Sequence, residues 1–303
     1  MRTYTLCIIG LFSLISCRKE IENNNLNTNK DSITEITYST DPDDALSNKD
    51  TEKLLDHLES KQLELKEKLK NIKNKEEGDL LFTEYQKSFS VIIDSLNSSE
   101  SITLKQYESW STDNKPDSIL VKEKRFKKLG VFIRNIDSNY YDLKFIPGFY
   151  KNIFSNKVSN ELKDYLTLVG KSNQLNYDVQ MNIKKFSLID YRNIALDWEN
   201  YLRKYPNTTN KEKILKGYKE VMMKYLFGDK NNKTFDPVSK KFNENIEQEY
   251  ILLLKQQPKT KTCEITREFM KYFYANDQVS NAKKFYKDLQ VRVNDDITRK
   301  FSQ

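Results

Sequence analysis

One histidine, three cysteines and seven glycines limit what chemistry these 303 residues can perform. His57 is the sole histidine and sits among Leu54, Leu55 and Leu58 on a charged stretch, so Ser-His, Cys-His and multi-histidine metal mechanisms are excluded. With so few glycines there is neither a Walker loop nor a dinucleotide fingerprint, and no cofactor is expected. The run Asp229 to Thr234 looks faintly like a calcium loop. However, Lys233 stands where an oxygen ligand is needed, Thr234 replaces the turn glycine and Lys240 replaces the bidentate acid, so no metal is expected there. Clustered acids at Asp41, Asp43 and Asp44 likewise lack ligand spacing. Paired carboxylates remain able to support glycoside hydrolysis, but 44 acidic residues make pairs by chance alone.

Cys17 is the thiol with a context. Arg2 is followed by an apolar run through Leu6, Ile8, Ile9, Leu11 and Phe12, closing on Leu14, Ile15, Ser16 and Cys17. These residues resemble the lipobox of bacterial lipoprotein precursors. The resemblance implies cleavage after Ser16, a thioether-linked diacylglyceride and an acylated amine on Cys17, and attachment to the cell envelope. Three acyl chains exceed the two hydrophobic signals that make anchoring stable, at about 0.8 kcal/mol per buried methylene. Arg18 follows, so the aspartate that retains many lipoproteins at an inner membrane is absent, and an outer membrane is expected where two exist. Cys7 leaves with the signal, Cys17 is consumed, and Cys263 is expected to be a small buried hydrophobe.

Charge divides the mature chain. Removal of Arg2 from a formal +7 leaves +6; residues 18–48 hold three cations against seven acids and the remainder is +10. The acidic segment is too polar to bury itself and reads as a tether with a reach of roughly 30 Å. A basic body points to a polyanionic neighbour such as anionic lipid or polysaccharide, or simply to solvated faces. Export disfavours nucleic acid. The densest basic run is Lys122, Lys124, Arg125, Lys127 and Lys128, either an anion contact or a solvated helix face.

These residues need a scaffold, and periodicity predicts a mainly α fold. Leu55, Leu58, Leu65, Leu69 and Ile72 form one helical stripe interrupted by Gln62, with Gly78 as its stop. Leu81, Tyr85, Phe89, Ile92, Ile93 and Leu96 form a second, giving an antiparallel hairpin. Near 129–146, β-branched and aromatic runs flank Asp137, Ser138 and Asn139 and stop at Pro147 and Gly148, predicting a β-hairpin. Downstream, Trp198, Tyr201, Leu202, Tyr205, Pro206 and Thr208 recur 52 residues later as Tyr250, Leu253, Leu254, Gln257, Pro258 and Thr260. Proline cannot continue a helix and the following Thr or Asn can cap the next, so each unit reads as helix, Pro turn, helix.

The turns resemble those of tetratricopeptide-like helical hairpins, although the spacing departs from a 34-residue period. Together with Tyr225, Leu226, Phe227 and Gly228 the pattern is also similar to a family of uncharacterised exported bacterial proteins, which implies no activity.

The expected organisation is a signal peptide at 1–16, a lipidated tether at 17–48, a helical and β-hairpin region at 49–147 and a repeat-like region at 148–303, the last two forming one body. Most of the eighteen Tyr, sixteen Phe and two Trp are expected in the inter-helix core. Trp110, Tyr140 and Tyr141 lie near loops and are candidates for exposed stacking. The function expected is a non-enzymatic, envelope-anchored helical module that binds a protein or glycan. The alternatives are a carboxylate-dependent glycan hydrolase and a surface glycan-binding lipoprotein.

Overall fold

In the computed structural model the described residues are 48–110, 114–137, 140–181, 183–229, 231–275 and 281–302. The expected signal peptide, Cys17, the expected tether up to residue 47 and turn residues 138 and 139 lie outside them. The body is mainly helical with two small antiparallel hairpins. Among the described residues no helix is long and apolar enough to cross a membrane.

Helices α1 (Asn48–Asn71) and α2 (Lys75–Ser99) form the expected antiparallel pair. Leu55, Leu58, Leu65 and Leu69 are buried against the α2 stripe of Tyr85, Phe89, Ile92, Ile93 and Leu96. Gln62 interrupts the stripe because its amide donates to the Leu129 carbonyl at 2.9 Å. Gly78 does not stop α1; it lies one turn inside α2. The break comes earlier, where Asn74 accepts the Glu77 N–H at 2.9 Å and the Glu77 carboxylate accepts the Lys73 N–H at 2.8 Å, a reciprocal cap. Glycine is required at 78 for packing, since a Cβ there would sit 1.8 Å from the Lys157 carbonyl oxygen.

A short α3 (Ser101–Gln106) leads to α4 (Asp117–Lys128), which starts directly after Pro116. Strands β1 (Val131–Asp137) and β2 (Tyr140–Phe145) then pair antiparallel, with Phe132 opposite Lys144 and Arg134 opposite Asp142. The register slips between Asn135 and Asp137, a bulge that leaves Ile136 exposed. A lone hairpin is marginal. This one is pinned by Asn97 of α2, whose amide accepts the Leu143 N–H at 2.6 Å and donates to the Leu143 carbonyl at 3.2 Å.

After α5 (Phe149–Phe154), α6 (Asn160–Gln180) packs on α7 (Leu188–Lys204), which in turn packs on α8 (Lys211–Phe227). The two Pro turns match: Thr208 N–H donates to the Tyr205 carbonyl at 3.2 Å, and Thr260 N–H to the Gln257 carbonyl at 3.1 Å. The second turn joins α9 (Ile246–Gln256) to α10 (Lys261–Ala275), and α11 (Ala282–Ser302) packs on α10.

The caps then diverge. Thr260 caps α10 by accepting the Cys263 N–H at 3.1 Å, whereas Thr208 only accepts from Asn210 at 3.2 Å and α8 begins beyond it. Glu199 of α7 adds a carboxylate to the start of α10, accepting from the Lys261 and Thr262 N–H groups at 2.8 and 2.9 Å.

A second hairpin, β3 (Phe235–Asp236) with β4 (Lys241–Phe242), was absent from the sequence reading. Two residues per strand carry no periodicity. It persists because Phe235 is buried among Phe227, Phe269 and Phe273, and Phe242 stacks on Phe273 at 4.2 Å. The expected aromatic core is present: Trp198, Tyr201, Tyr218, Tyr225 and Phe227 are all buried.

Candidate functional site

The first β-hairpin presents two faces. Val131 and Leu143 are buried toward the helical core, whereas Phe132, Arg134, Asp142 and Lys144 share the opposite face by strand alternation. Helix α6 lies across that second face, and Phe132 meets Tyr177 edge-on at 5.0 Å. On α6, Leu166, Gly170, Asn173, Tyr177 and Gln180 recur at three- and four-residue steps and form one stripe. Between hairpin, stripe, the Pro147–Gly148 turn and the start of α5 lies a cleft of about 280 Å³.

Its floor is aromatic. Phe145 and Phe149 stack at 4.0 Å with their planes 15° apart, and Tyr150 meets Phe145 edge-on at 5.6 Å. The hydroxyls of Tyr150 and Tyr165 line the cleft region without a hydrogen-bond partner among the described residues. Loss of hydration pushes both phenols above their ordinary pKa. Asn173 and Gln180 supply amides from the α6 side, also without hydrogen-bond partners among the described residues.

Three cations reach this cleft. Arg134 donates to Asp142 through Nε at 2.9 Å and Nη2 at 2.7 Å, and Lys144 approaches the same carboxylate at 3.7 Å. Lys151 makes no ion pair with the described residues, and its stem crosses α6 where glycine leaves room: a Cβ on Gly170 would lie 3.9 Å from Lys151 Cδ. Among the described residues lining the cleft there is no Asp or Glu.

Beyond Lys151 a more open groove of about 580 Å³ continues between α6 and α7. Its three aspartates are engaged: Asp178 by Gln174 at 2.7 Å, Asp190 by Lys184 at 2.7 Å and Asp197 by Lys171 at 2.9 Å. Among the described residues no group of His, Cys, Asp and Glu could hold a metal ion.

The basic run on α4 is not a five-cation patch. Lys122 bonds both oxygens of Glu100, itself 2 % exposed, at 2.8 and 3.0 Å. Arg125 pairs with Asp56 at 2.6 Å and Glu59 at 3.0 Å, and Lys128 pairs with Glu59 at 3.0 Å. The Lys128 hydrogen bond, with Arg125 nearby, holds the Glu59 carboxyl below its ordinary pKa. Repulsion within the run is relieved by Asp56 and Glu59 of α1 and by Glu100 at the end of α2, and only Lys124 and Lys127 of the run are exposed without an ion pair to described residues.

The stacking candidates separate too. Tyr141 meets Tyr107 at 5.0 Å and half-buried Trp110 meets it at 6.2 Å. Lys115 already occupies that cluster, lying 4.7 Å over the Tyr107 ring and 2.7 Å from Glu123, which also accepts the Tyr107 hydroxyl. Trp110 and Tyr141 are therefore packed rather than free; Tyr140 alone is exposed, at 62 %. His57 is exposed on α1. Cys263 is fully buried, which raises its thiol pKa.

Sequence reasoning placed Phe132, Arg134, Lys144, Phe145 and Ile146 in the β-hairpin and Pro147 and Gly148 as its stop, but missed the α6 residues and the cleft they form together. The available signal was the Gly170, Asn173, Tyr177 and Gln180 stripe, a polar aromatic face on a helix. No family model, curated protein or solved structure matches the chain.

Proposed function

We propose that this protein is a bacterial cell-envelope lipoprotein, anchored through lipidated Cys17, whose helical body binds a ligand without transforming it. The residues Leu14 to Cys17 support the anchor, and Arg18 supports an outer-membrane address where two membranes exist. The observation that carries the binding reading is the lining of the hairpin–α6 cleft: rings, amides, unpartnered hydroxyls and cations, with no carboxylate among its described residues. Such convergence of a few polar groups on an apolar cavity is the usual form of a ligand site. Carboxylate-based glycoside hydrolysis needs two acids roughly 5 to 10 Å apart. The cleft supplies neither, and the aspartates of the neighbouring groove are engaged by Lys or Gln.

The test has two arms in living cells. A labelled fatty-acid precursor should mark the wild-type protein and leave Cys17→Ala unmarked; equal labelling removes the anchor from the account. A photo-crosslinking residue at exposed Asn173 should capture envelope glycan, whereas one at exposed Lys287 on α11 should not; the reverse pattern removes the cleft.

A further inference from the structure

The chemistry of the cleft narrows the class of ligand, given the reading of it as a binding site. Phe145, Phe149 and Tyr150 line the cleft and give it aromatic surface against which a C–H face can pack. Tyr150 and Tyr165 offer two hydroxyls, and Asn173 and Gln180 two amides, none satisfied by the described protein. Lys151 offers an ammonium that makes no ion pair with described residues, while Arg134 and Lys144 share one carboxylate between two charges.

Each alternative class leaves something uncompensated. A cationic ligand would meet Lys151, Lys144 and Arg134 with no acid on the lining. A purely apolar ligand would strip water from two hydroxyls, two amides and an ammonium, each a cost when no hydrogen bond replaces it. A bare phosphate would use the cations and leave the ring floor empty. A neutral sugar would use rings, amides and hydroxyls and leave the Lys151 charge unmatched.

We infer that the cleft binds a carboxylated sugar, a hexuronate unit of an acidic glycan. The sugar's C–H face lies on the Phe145, Phe149 and Tyr150 floor. Its hydroxyls bond Tyr150, Tyr165, Asn173 and Gln180, and its carboxylate pairs with Lys151. A volume of about 280 Å³ falls just below the roughly 300 to 1,000 Å³ of drug-sized ligand pockets, which suits a ligand as small as a single sugar unit. The open groove beyond Lys151 gives a longer chain a way out along α6 and α7.

Titration calorimetry on the full-length protein in detergent tests this, with glucuronate, galacturonate, glucose, galactose, inorganic phosphate and acetate as probes. A uronate should bind at least tenfold more tightly than its neutral sugar and lose affinity as salt rises. Lys151→Met, which keeps the stem, should weaken the uronate about tenfold and leave the neutral sugar unchanged; Tyr150→Phe should weaken both. Far-UV circular dichroism on both variants checks their fold.

Equal binding of uronate and neutral sugar, or an unaltered Lys151→Met variant, overturns the carboxylate while the cleft remains a binding site. Phosphate or acetate binding as tightly as uronate overturns the sugar. No binding of any sugar overturns the sugar and the glycan form of the proposed function together.

Discussion

Gly148 and Gly170 meet backbone to backbone: a Cβ built on Gly170 would lie 3.6 Å from the Gly148 Cα. The turn leaving the β-hairpin therefore rests on the middle of α6, and Lys151 is laid across the same point. Gly148 itself needs its glycine, because its φ of 78° is left-handed.

A contact of 3.6 Å is ordinary van der Waals distance, so Gly170→Ala should be accommodated and should gain up to about 1 kcal/mol of helix propensity. Gly78→Ala should do the opposite, because its methyl would meet the Lys157 backbone oxygen at 1.8 Å and backbone must move. Thermal unfolding of the two variants should shift in opposite directions.

Asn97 holds the outer edge of β2 through both backbone groups of Leu143. Asn97→Ala removes both bonds and should cost about 1 to 3 kcal/mol, the range for stranding a backbone group. Hydrogen exchange should show faster exchange at Leu143 N–H, with the α7 and α8 amides unchanged.

Lys122 and Lys124 are two residues apart and should behave differently. Lys122→Met leaves the buried Glu100 carboxylate with the Thr51 hydroxyl but without its cation, a loss on the order of 3 kcal/mol. Lys124→Glu alters an exposed site and should stay within about 0.5 kcal/mol. Urea unfolding of both variants reads the difference. Weak, salt-sensitive binding to anionic vesicles, if carried by this helix, should depend on Lys124 and Lys127 and vanish on their joint reversal.

Glu64 gives a pH signature. Hydrogen bonds from Lys68 and Lys61 lower its carboxyl from 4.5 to about 2. Between those values the unfolded chain binds more protons than the folded one, so stability rises with pH there and is lost as pH falls from 4.5 toward 2. Both lysines are partly exposed, so solvent screening keeps the contribution small. Glu64→Gln should flatten the acid limb of the stability curve by lowering its neutral plateau slightly, since the contribution lost in acid is the one present at neutral pH.

Elements with long periodic stripes were legible: the α1–α2 hairpin, the paired Pro turns and the aromatic core of α7 and α8. The first β-hairpin was legible from its β-branched runs and turn residues. Gly78 misled because a glycine required for packing and one that ends a helix look alike in sequence. The β3–β4 hairpin was invisible because what holds it is Phe235 reaching Phe269 and Phe273, more than thirty residues away. The α4 cations pointed to a patch because their partners, Asp56 and Glu59, lie on another helix. The cleft escaped for the same reason, being assembled from β1, β2, the turn at Pro147 and Gly148, α5 and α6.

Binding without cleavage at that cleft is what separates a binding module from a hydrolase. The decisive measurement incubates the full-length protein, in excess, with a defined acidic oligosaccharide and follows both retention and the mass of the recovered glycan. Retention of the glycan at its original length, reduced by Lys151→Met, is the result the account predicts. Shortened products, or retention indifferent to Lys151 and abolished by reversal of Lys124 and Lys127, would contradict it.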